Sequence, residues 1–302
     1  MANSIALAEE FTDMVDELVL KGPITNDLVI PTASLKFLNA KTVQFPKISV
    51  DGLGTHSRDG NFSQGDVDVT YETKTLEQDR SRTFSVDSMN DVESLGVAFG
   101  QLGRTFVNTR VIPEIDAFRF AAIAQATPVA QLVPANLTDT TILTALDTAM
   151  LALDEEEIPE ENRIFYMSNS AVNLLEKLAT ADKSVDFTAV SSNLGTRIMS
   201  YKGVEIRKVP KARFYTEITY LDGKTAGQEA GGFTPAVGAK EINFILAWKP
   251  AIQGAIVKHS LARVFLAGTV QGNDNHALDY RVYHDMVFMD NKVKGIYTHT
   301  KA

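Results

Sequence analysis

One apolar stripe constrains the fold of this 302-residue chain more than any other feature. From Val92 to Phe106, apolar residues recur at spacings of three and four, and the apolar pattern continues past Pro113 to about Ala124. The stripe consists of Val92, Leu95, Phe99, Leu102, Phe106, Val111, Ile115 and Phe118. This heptad-like spacing predicts a helix over about 91–124, roughly 50 Å long at about 1.5 Å per residue. We expect a spine helix that is kinked, because proline disrupts the hydrogen bonds around it.

Two predicted strands precede this helix and flank a glycine-rich tip. Residues 41–50 are rich in β-forming side chains, and Pro46 indicates an edge strand. Residues 67–71 alternate apolar and polar side chains, and 82–86 continue the extended chain. The tip between them, 50–66, contains Gly52, Gly54, Gly60 and Gly65. A hairpin with so few apolar residues at its tip cannot fold alone, so we expect it to project and rest on something else.

The chain begins with a predicted amphipathic helix over 4–20. Its apolar face consists of Leu7, Phe11, Met14, Val15 and Leu18. Its other face is acidic, and the breaker Lys21-Gly22-Pro23 ends it. Because a lone helix cannot bury its own apolar face, we expect this arm to lie on the body of the subunit or on a neighbouring subunit.

The second half of the sequence predicts a compact α/β unit followed by strands. The unit runs from about Pro134 to Pro250. It has predicted helices after Thr138 and over 168–178, predicted strands over 163–167 and 242–248, and a hairpin turn at Lys202-Gly203. Strands are then predicted over 252–258, 280–289 and 293–300, with a polar loop over 268–278. Together with the spine helix, this order predicts the α+β class.

Composition excludes several classes of protein. The chain has 29 Lys and Arg against 38 Asp and Glu, a formal charge of −9, which argues against tight wrapping of nucleic acid or an anionic membrane. It has no cysteine, so disulfides, thiolate zinc sites and cysteine nucleophiles are excluded. The N-terminus lacks a basic signal segment, and no window approaches about 18 consecutive apolar residues. These features favour a protein made or assembled in a cytosol.

Few residues stand in catalytic patterns. Gly223-Lys224-Thr225 resembles the end of a phosphate-binding loop, but Ile218 stands where the motif needs its first glycine. One group of side chains could converge on a metal ion: His276, Asp279, His284 and Asp285. Its spacing matches no established metal motif, and polar groups near a strand end are the commoner interpretation. We therefore predict no catalytic residue, no cofactor and no metal.

Two charged segments are predicted to be solvated. Six carboxylates in 154–161 could bind cations, but a helix-to-strand turn is favoured. The basic stretch 202–213 could contact nucleic acid. No aromatic side chains are interleaved for base stacking, so a strand face or a subunit contact is favoured instead.

The arm, the hairpin and the spine all need partners, which favours an assembling structural protein. Arg80 and Arg82, just past the hairpin, are expected to pair with Glu72 or Glu77 of the same hairpin or with acids of a neighbouring subunit, and we favour the second option. The predicted subunit-contact residues are Phe11, Leu18, Gly52, Gly54, Arg58, Gly60, Arg80, Arg82, Asn273 and Asn275.

Three parts of the sequence resemble the major capsid proteins of tailed phages, which have the Hong Kong phage capsid fold. Residues 71–80 with 82–87 resemble the return strand of that family's extended loop. Residues 111–119 resemble its proline-containing spine, and 280–285 with 291–297 resemble its closing strands. The resemblance is to capsid proteins of phages and prophages of Gram-positive bacteria, and it covers nearly the whole chain in the right order.

The resemblance implies a division of the chain into an arm, a peripheral domain in two parts and an axial domain. In chain order these are the N-terminal arm over 1–35, the first peripheral part over 36–130, the axial domain over 131–249 and the closing peripheral strands over 250–302. The extended loop would cover 41–87 and the spine helix 91–124. The axial domain is expected to lie around the centres of hexamers and pentamers.

The resemblance also implies a structural role without catalysis. Members of the family form hexamers and pentamers in an icosahedral shell, which is built as a procapsid and expands when double-stranded DNA enters. The implied partners are further copies of the chain, a scaffolding protein, a portal and packaged DNA in weak non-specific contact, with no membrane. The implied location is the virion, after assembly in the cytoplasm of the bacterial host.

Two properties vary within the family. Because Met1 directly precedes the arm helix, we expect a separate scaffolding protein rather than a scaffold-like segment that is cleaved off. Some members join an extended-loop lysine covalently to an asparagine, which here would need Lys47 or Lys74 to meet Asn273 or Asn275. Neither lysine is at the tip and no glutamate lies near those asparagines, so non-covalent locking is favoured.

Two other functions compete with the capsid interpretation. An encapsulin-like nanocompartment shell shares the fold but encloses a cargo enzyme, and gene context would distinguish it from a phage head. A cytosolic hydrolase or nucleotide-binding enzyme with an α/β domain would need an active-site constellation, which the sequence does not contain.

Overall fold

Strands and helices are mixed along the chain, which confirms the α+β class. The computed structural model describes residues 20–31, 37–39, 41–56, 64–93, 101–181, 190–191, 197–269 and 274–302. The strands are β1 (Thr42–Val50), β2 (Val67–Thr75), β3 (Gln78–Asp87), β4 (Leu132–Pro134), β5 (Arg163–Ser168), β6 (Val190–Ser191), β7 (Arg197–Tyr201), β8 (Val204–Val209), β9 (Ile218–Tyr220), β10 (Phe233–Pro235), β11 (Ile242–Trp248), β12 (Ala255–Phe265), β13 (Asn275–Met286) and β14 (Ile296–Thr300). The helices are α1 (Ser88–Glu93), α2 (Leu102–Phe106), α3 (Ile112–Ala126), α4 (Ile142–Glu155), α5 (Asn169–Ala181) and α6 (Lys249–Ile252), with a π-helical segment at Val107–Val111. The arm helix expected over 4–20 lies outside the described residues.

The largest described sheet has seven strands in the order β4-β14-β11-β5-β8-β7-β6. The pairs β4–β14 and β5–β8 are parallel, and the other pairs are antiparallel. Along β5, Phe165 and Met167 pack with α4 and α5, while Ile164 and Tyr166 pack with α3 on the opposite face. Because helices cover both faces, β5 and β11 are almost continuously apolar, which is the pattern expected for strands buried on both sides.

The predicted spine helix is present, but it is not regular. The segment α2 passes through the π-helical turn into α3 without a break. The amide of Ile112 donates to the carbonyl oxygen of Val107, five residues back, where an α-helix would use four. Pro113 explains the change, because it has no amide hydrogen and its ring would collide with the Thr109 carbonyl of a regular helix. The predicted kink therefore takes the form of one widened turn, and residues 94–100 of the predicted helix lie outside the described residues.

A three-stranded antiparallel sheet in the order β12-β13-β3 packs against the first part of the spine. The ring of Phe106 in α2 contacts Phe84 of β3 and Tyr280 of β13, with centroids 4.8 and 5.6 Å away. Both contacts are edge-on, the geometry that aromatic rings favour. This sheet therefore depends on the spine for one of its faces.

All four limits of the strands predicted over 252–258 and 280–289 are wrong. The strand β12 extends to Phe265, and β13 begins at Asn275, inside the segment predicted as a polar loop. Residues 275–278 are extended because they pair with 84–87 of β3. That pairing joins parts of the chain almost 190 residues apart, as for Asn275 with Asp87, and local composition cannot reveal it.

The last strand joins the large sheet. Residues Val293–Gly295 form a 3-10 turn, and β14 then pairs with β11 on one side and β4 on the other. The sequence assigned these residues to the closing strands of the peripheral domain. The domain limits stay a prediction, but the large sheet crosses the limit drawn after residue 249.

Candidate assembly surfaces

The predicted hairpin is confirmed as a two-stranded ribbon of β1 and β2, called the ribbon below. All nine residue pairs are in antiparallel register without a bulge. Because side chains alternate along a strand, directly paired residues share a face. One face, called the inner face, carries Val43, Phe45 and Lys47, and the opposite face, called the outer face, carries Ile48 and Val50.

The inner face fixes the base of the ribbon to the body of the subunit. Val43 is buried and packs with Leu76, Ile256 and Val287. The hydroxyl of Tyr283 donates to the carbonyl oxygen of Leu76 at 2.8 Å. Burial of apolar side chains, each contributing about 1.5–3 kcal/mol, holds this end of the ribbon in place.

A small ion cluster continues this attachment along the inner face. Lys74 Nζ lies 3.1 Å from an Asp290 oxygen, and Lys47 Nζ lies 3.8 Å from Asp290 and 3.6 Å from Glu72. The hydrogen bond from Lys74 holds the pKa of Asp290 below its ordinary value. Because the side chains are partly exposed, the cluster contributes little free energy but does set the direction of the ribbon. Both lysines considered for a covalent link are thus bound to Asp290.

The outer face of the ribbon is apolar and uncovered by the described part of the chain. Its large apolar residues are Ile48, Val50, Val67, Val69 and Tyr71, each at least 50% exposed. The register sets Val50 opposite Val67 and Ile48 opposite Val69, so these side chains form one stripe. A contiguous stripe of β-branched and aromatic side chains marks a protein-interaction surface.

The described part of the tip, 51–56 and 64–66, is fully exposed. The amide of Asp51 donates to the Asp66 carbonyl oxygen at 3.2 Å, and the amide of Asp66 donates to the Asp51 carboxylate at 2.8 Å. These bonds close the ribbon where the strands end. Gly52 and Gly54 lie in the tip as predicted, whereas Arg58 and Gly60 lie outside the described residues. Their role as contact residues stays a prediction.

A buried carboxylate on the spine anchors the chain where the arm joins the body. Asp116 accepts hydrogen bonds from the amide of Ile24 at 3.0 Å and from the amide and hydroxyl of Thr25 at 3.3 and 2.6 Å. Its ionic partner is Arg213, whose Nη1 lies 3.0 Å away. Both charged side chains are almost completely buried, so removing either one would leave the other as an uncompensated buried charge.

Two buried arginines complete this anchor by binding main-chain carbonyls. Arg119 Nη1 donates to the carbonyl oxygen of Thr25 at 3.0 Å, and Arg213 donates to the carbonyl oxygens of Lys21 and Gly22 at 2.6 and 3.2 Å. Burial lowers the pKa of Arg119, and Asp116 opposes that shift. Residues 21–25, where the predicted arm would meet the body, are therefore fixed, while Phe11 and Leu18, the contact residues predicted in the arm, lie outside the described residues.

Sequence analysis missed this anchor, although a signal was present. Asp116 and Arg119 interrupt an otherwise apolar stretch of the spine, and both lie on a helix buried between two layers. Charged residues are almost never buried without a partner. Two charges at i and i+3 inside an apolar helix therefore indicate a buried polar junction. The distant partner, Arg213, could not be identified in this way.

Arg80 binds its own chain rather than the acids proposed for it. Its Nε lies 2.8 Å from Glu114 of the spine, not from Glu72 or Glu77 of the hairpin. Its Nη2 donates to the carbonyl oxygens of Leu221 at 3.0 Å and Gly232 at 3.3 Å. The guanidinium also lies over the ring of Tyr220, 4.6 Å from its centre. Strand and helix are packed together here, which gives Arg80 a nearer carboxylate than its own hairpin does.

Arg82 and Asn275 also have positions inside the subunit. Arg82 Nη2 donates to the carbonyl oxygen of Glu229 at 3.0 Å. Asn275 opens β13 opposite Asp87, and Asn273 lies outside the described residues. A contact of these residues with a neighbouring subunit stays a prediction.

The phosphate-binding resemblance at residues 223–225 does not correspond to a phosphate site. The carboxylate of Asp222 accepts hydrogen bonds from the amides of Lys224 and Thr225 at 2.8 and 2.9 Å. These bonds and that of the Thr225 hydroxyl lower the pKa of Asp222 to about 2. The amides that would hold a phosphate are therefore occupied by the chain's own carboxylate.

The histidine and aspartate group does not converge. His284 is 1% exposed and packs edge-on against Phe118, at 5.3 Å between ring centres. Burial lowers its pKa to about 4, and the charges of Arg119 and Arg80 act in the same direction. Neither ring nitrogen has a hydrogen-bond partner among the described residues. Asp285, on the other face of the strand, instead accepts from the amide of Glu77 at 2.7 Å.

The described residues contain neither a metal-binding cluster nor a helix that could span a membrane. No cluster of three or more histidine or carboxylate side chains there could hold a metal ion. No helix in those same ranges is long and apolar enough to cross a membrane.

Comparison with known proteins identifies the fold. No family model and no curated protein matches the sequence. Among solved structures, one from Mycobacterium phage Che8 is similar over 99% of this chain and 98% of its own, with a TM-score of 0.65 and 15% identity. The capsid structure of cyanophage P-SCSP1u matches over 98% and 93%, with a TM-score of 0.64 and 13% identity. The asymmetric unit of the bacteriophage PhiM1 mature capsid matches over 98% and 92%, with a TM-score of 0.63 and 10% identity. The chain therefore has the fold of these phage structures along nearly its whole length, as the resemblance implied.

Proposed function

We propose that this chain is the structural subunit of an icosahedral phage head. Copies of it assemble as hexamers and pentamers into a shell around packaged double-stranded DNA, and the chain has no catalytic role. The observation that carries the proposal is the apolar outer face of the ribbon, which the described part of the chain leaves exposed, on a chain with the fold of phage capsid structures.

The ribbon supports assembly because it is incomplete within one subunit. An isolated two-stranded ribbon is marginally stable, and this one is attached only through its inner face in the described part of the chain. A second copy that covers the outer face would bury five large apolar side chains. Burial on that scale contributes several kcal/mol to each contact, which a closed shell multiplies over many subunits.

The other partners and the location follow from the same function. We expect a separate scaffolding protein during procapsid assembly, a portal in the finished head and weak non-specific contact with DNA. The formal charge of −9 suits a shell that contains DNA without binding it tightly. The chain would be assembled in the cytoplasm of the bacterial host and would end in the virion, with the arm, peripheral and axial domains in their expected roles.

The nanocompartment alternative has less support. The solved structures named above come from phages, and two of them are structures of capsids. An encapsulin-like shell would also use the ribbon for self-contact, so gene context and dependence on a scaffold are the features that separate the two functions.

Electron microscopy of the purified chain, alone and with a candidate scaffold, tests the proposal. Closed icosahedral shells or arrays of hexamers and pentamers are expected, and a requirement for the scaffold favours the phage head. A monomer or dimer under every condition would overturn assembly.

A pair of ribbon variants tests the surface itself. Val69→Asp places a charge in the outer stripe, while Thr70→Asp places the same charge on the inner face opposite Lys47. We expect Val69→Asp to fold normally but to form no shells, and Thr70→Asp to form them. Normal shells from Val69→Asp would remove the outer face from the assembly mechanism.

A further inference from the structure

An exposed loop between β9 and β10 is fastened to the strand that continues the ribbon. This loop, residues 221–232, is called the strap below. The strand β3 begins three residues after β2 ends, and it belongs to the three-stranded sheet. The strap leads through β10 into β11 of the seven-stranded sheet. A bond between the strap and β3 therefore joins the ribbon to the opposite half of the subunit.

Two arginines on one face of β3 make that bond. Arg80 reaches both ends of the strap, the carbonyl oxygens of Leu221 and Gly232, while its Nε is paired with Glu114 of the spine. Arg82 reaches the middle of the strap at the carbonyl oxygen of Glu229. Charge-assisted hydrogen bonds of this kind are stronger than neutral ones. Three elements, β3, the spine and the strap, thus meet at two guanidinium groups.

The strap is shaped to receive Arg82. Gly223 and Gly231 both have left-handed backbone angles, with φ of +71° and +64°, and their α-carbons face the guanidinium. A β-carbon added at Gly223 would lie 2.6 Å from Arg82 Nη1, and one at Gly231 would lie 3.6 Å from it. The end of Arg82 would have to move to admit a side chain at residue 223, and its bond to Glu229 would move with it.

The strap also borders a cavity, which leaves space beside the two arginines. A cavity of about 870 Å³ lies between β3, the spine and the strap, and Arg80 and Arg82 are among its lining residues. In a packed interior a shift of one element collides with its neighbours. Here space on one side of the two arginines allows the strap to separate from β3 without that cost.

We propose that Arg82, seated on Gly223, is a latch that holds the middle of the strap on β3 and so stiffens the junction between the three-stranded sheet and the seven-stranded sheet. With the latch closed, the strap is bound to β3 at its middle and at both ends. With the latch open, only Arg80 binds the strap, and the junction is less stiff. Its role in assembly rests on the proposed function, because subunits in hexamers and pentamers must place their ribbons at different angles.

Trypsin cleavage after Lys224, an exposed strap residue, reports the state of the latch in the full-length chain before assembly. We expect Gly223→Ala to raise the cleavage rate at this bond roughly tenfold, the change that loss of one charge-assisted hydrogen bond produces. Gly227→Ala is the matched control, because Gly227 is in the strap with φ of +84° but has nothing within 4 Å of an added β-carbon. We expect it to add only the strain of an L residue at positive φ, and so to raise the rate clearly less than Gly223→Ala does.

A double variant separates the latch from simple backbone strain. If Gly223 acts by seating Arg82, then in a chain that already carries Arg82→Ala the further change Gly223→Ala should raise the rate only as much as Gly227→Ala does. Equal effects of Gly223→Ala and Gly227→Ala, or additive effects of the two latch variants, would overturn the proposal.

Electron microscopy of the same variants tests the consequence for assembly. We expect Gly223→Ala to give shells of altered size or curvature, while Gly227→Ala gives normal ones. Normal shells from a variant whose strap is open would overturn the role of the latch in assembly but leave the capsid function intact. If the unaltered chain forms no shells, the capsid function fails, and the cleavage rates still decide whether the latch exists.

Discussion

The ribbon and the seven-stranded sheet use the same kind of side chain in opposite ways. In the sheet, Phe165 and Phe244 are completely buried, and helices cover both faces. In the ribbon, Ile48 and Val69 stand opposite each other with half or more of their surface exposed. The sheet buries its apolar residues within one chain, whereas the outer face of the ribbon has apolar residues that a partner would have to bury.

This difference separates the stability of the subunit from the stability of the assembly. Changes in the sheet should unfold the isolated subunit, because the lost contacts are its own. Changes in the outer face should leave the isolated subunit intact and act only where subunits meet. Three measurements on the unassembled chain, ordered by expected effect, test that separation.

The largest effect is expected in the sheet. Phe244→Ala removes a ring that lies between Phe165 and Tyr297, at 6.1 and 6.2 Å between ring centres. The cavity and the lost burial should lower the free energy of unfolding by about 3–5 kcal/mol. Tyr71→Ala, on the outer face, is the control and should change it by less than about 0.5 kcal/mol. Urea denaturation of both variants measures the two values, and similar losses would show that the ribbon is part of the folded core.

An intermediate effect, dependent on pH, is expected where the spine meets the three-stranded sheet. The pKa of His284 is about 4 in the folded chain and 6.5 ordinarily, so the unfolded chain binds the proton more readily. The contribution of His284 to the free energy of unfolding is therefore fully present above pH 6.5. It decreases as the pH drops from 6.5 to 4, by on the order of 3 kcal/mol in that interval. The charged groups that face the ring are Arg119 on the spine and Arg80 on β3.

The variant His284→Leu isolates that contribution. It should remove most of the difference in unfolding free energy between pH 6.5 and pH 4 that the unaltered chain shows. The carboxylates of the chain titrate in both proteins, so only the difference between the two pH profiles is assigned to His284. Parallel profiles would mean that the buried ring does not resist protonation.

The smallest effect is expected at the base of the ribbon. Asp290→Asn removes the partner of Lys74 and Lys47, and because all three side chains are partly exposed the loss should be about 0.2–1 kcal/mol. The folded pKa of Asp290 lies below its ordinary value, so the contribution is present above pH 3.8 and is lost as the pH falls through the folded pKa. Thermal unfolding at low and high salt measures this contribution of Asp290 to stability. A loss above about 2 kcal/mol would show that the ion cluster, rather than Val43 and its apolar neighbours, holds the ribbon.

Local patterns were sufficient for the regular elements. Alternation predicted β2 of the ribbon, a run of β-forming side chains predicted β1, and the apolar stretch at 242–248 predicted β11 to the residue. The turn at Lys202-Gly203 was predicted from its residues, and both adopt positive φ, as such a hairpin requires. These features succeed because each depends on neighbours within a few residues.

Features that depend on distant partners were not predictable in this way. The start of β13 is set by β3, the partner of Arg80 is set by the packing of β3 on the spine, and the anchor of the arm needs Arg213, almost a hundred residues from Asp116. A single sequence carries no record of such pairs. The sequence predicted only that the hairpin must rest on something. It did not predict which face of the hairpin carries the exposed apolar residues, because that depends on the pairing register of the two strands.

The π-helical turn before Pro113 sets the angular phase of the spine. Phe106 and Phe120 are fourteen residues apart, two heptads, so in a regular helix they would lie on nearly the same side. Instead Phe106 contacts Tyr280 of the three-stranded sheet, and Phe120 contacts Tyr166 of the seven-stranded sheet. An extra residue in one turn rotates the following part by roughly 100°. One imino acid thus lets two aromatic residues that lie two heptads apart on the spine face different sheets.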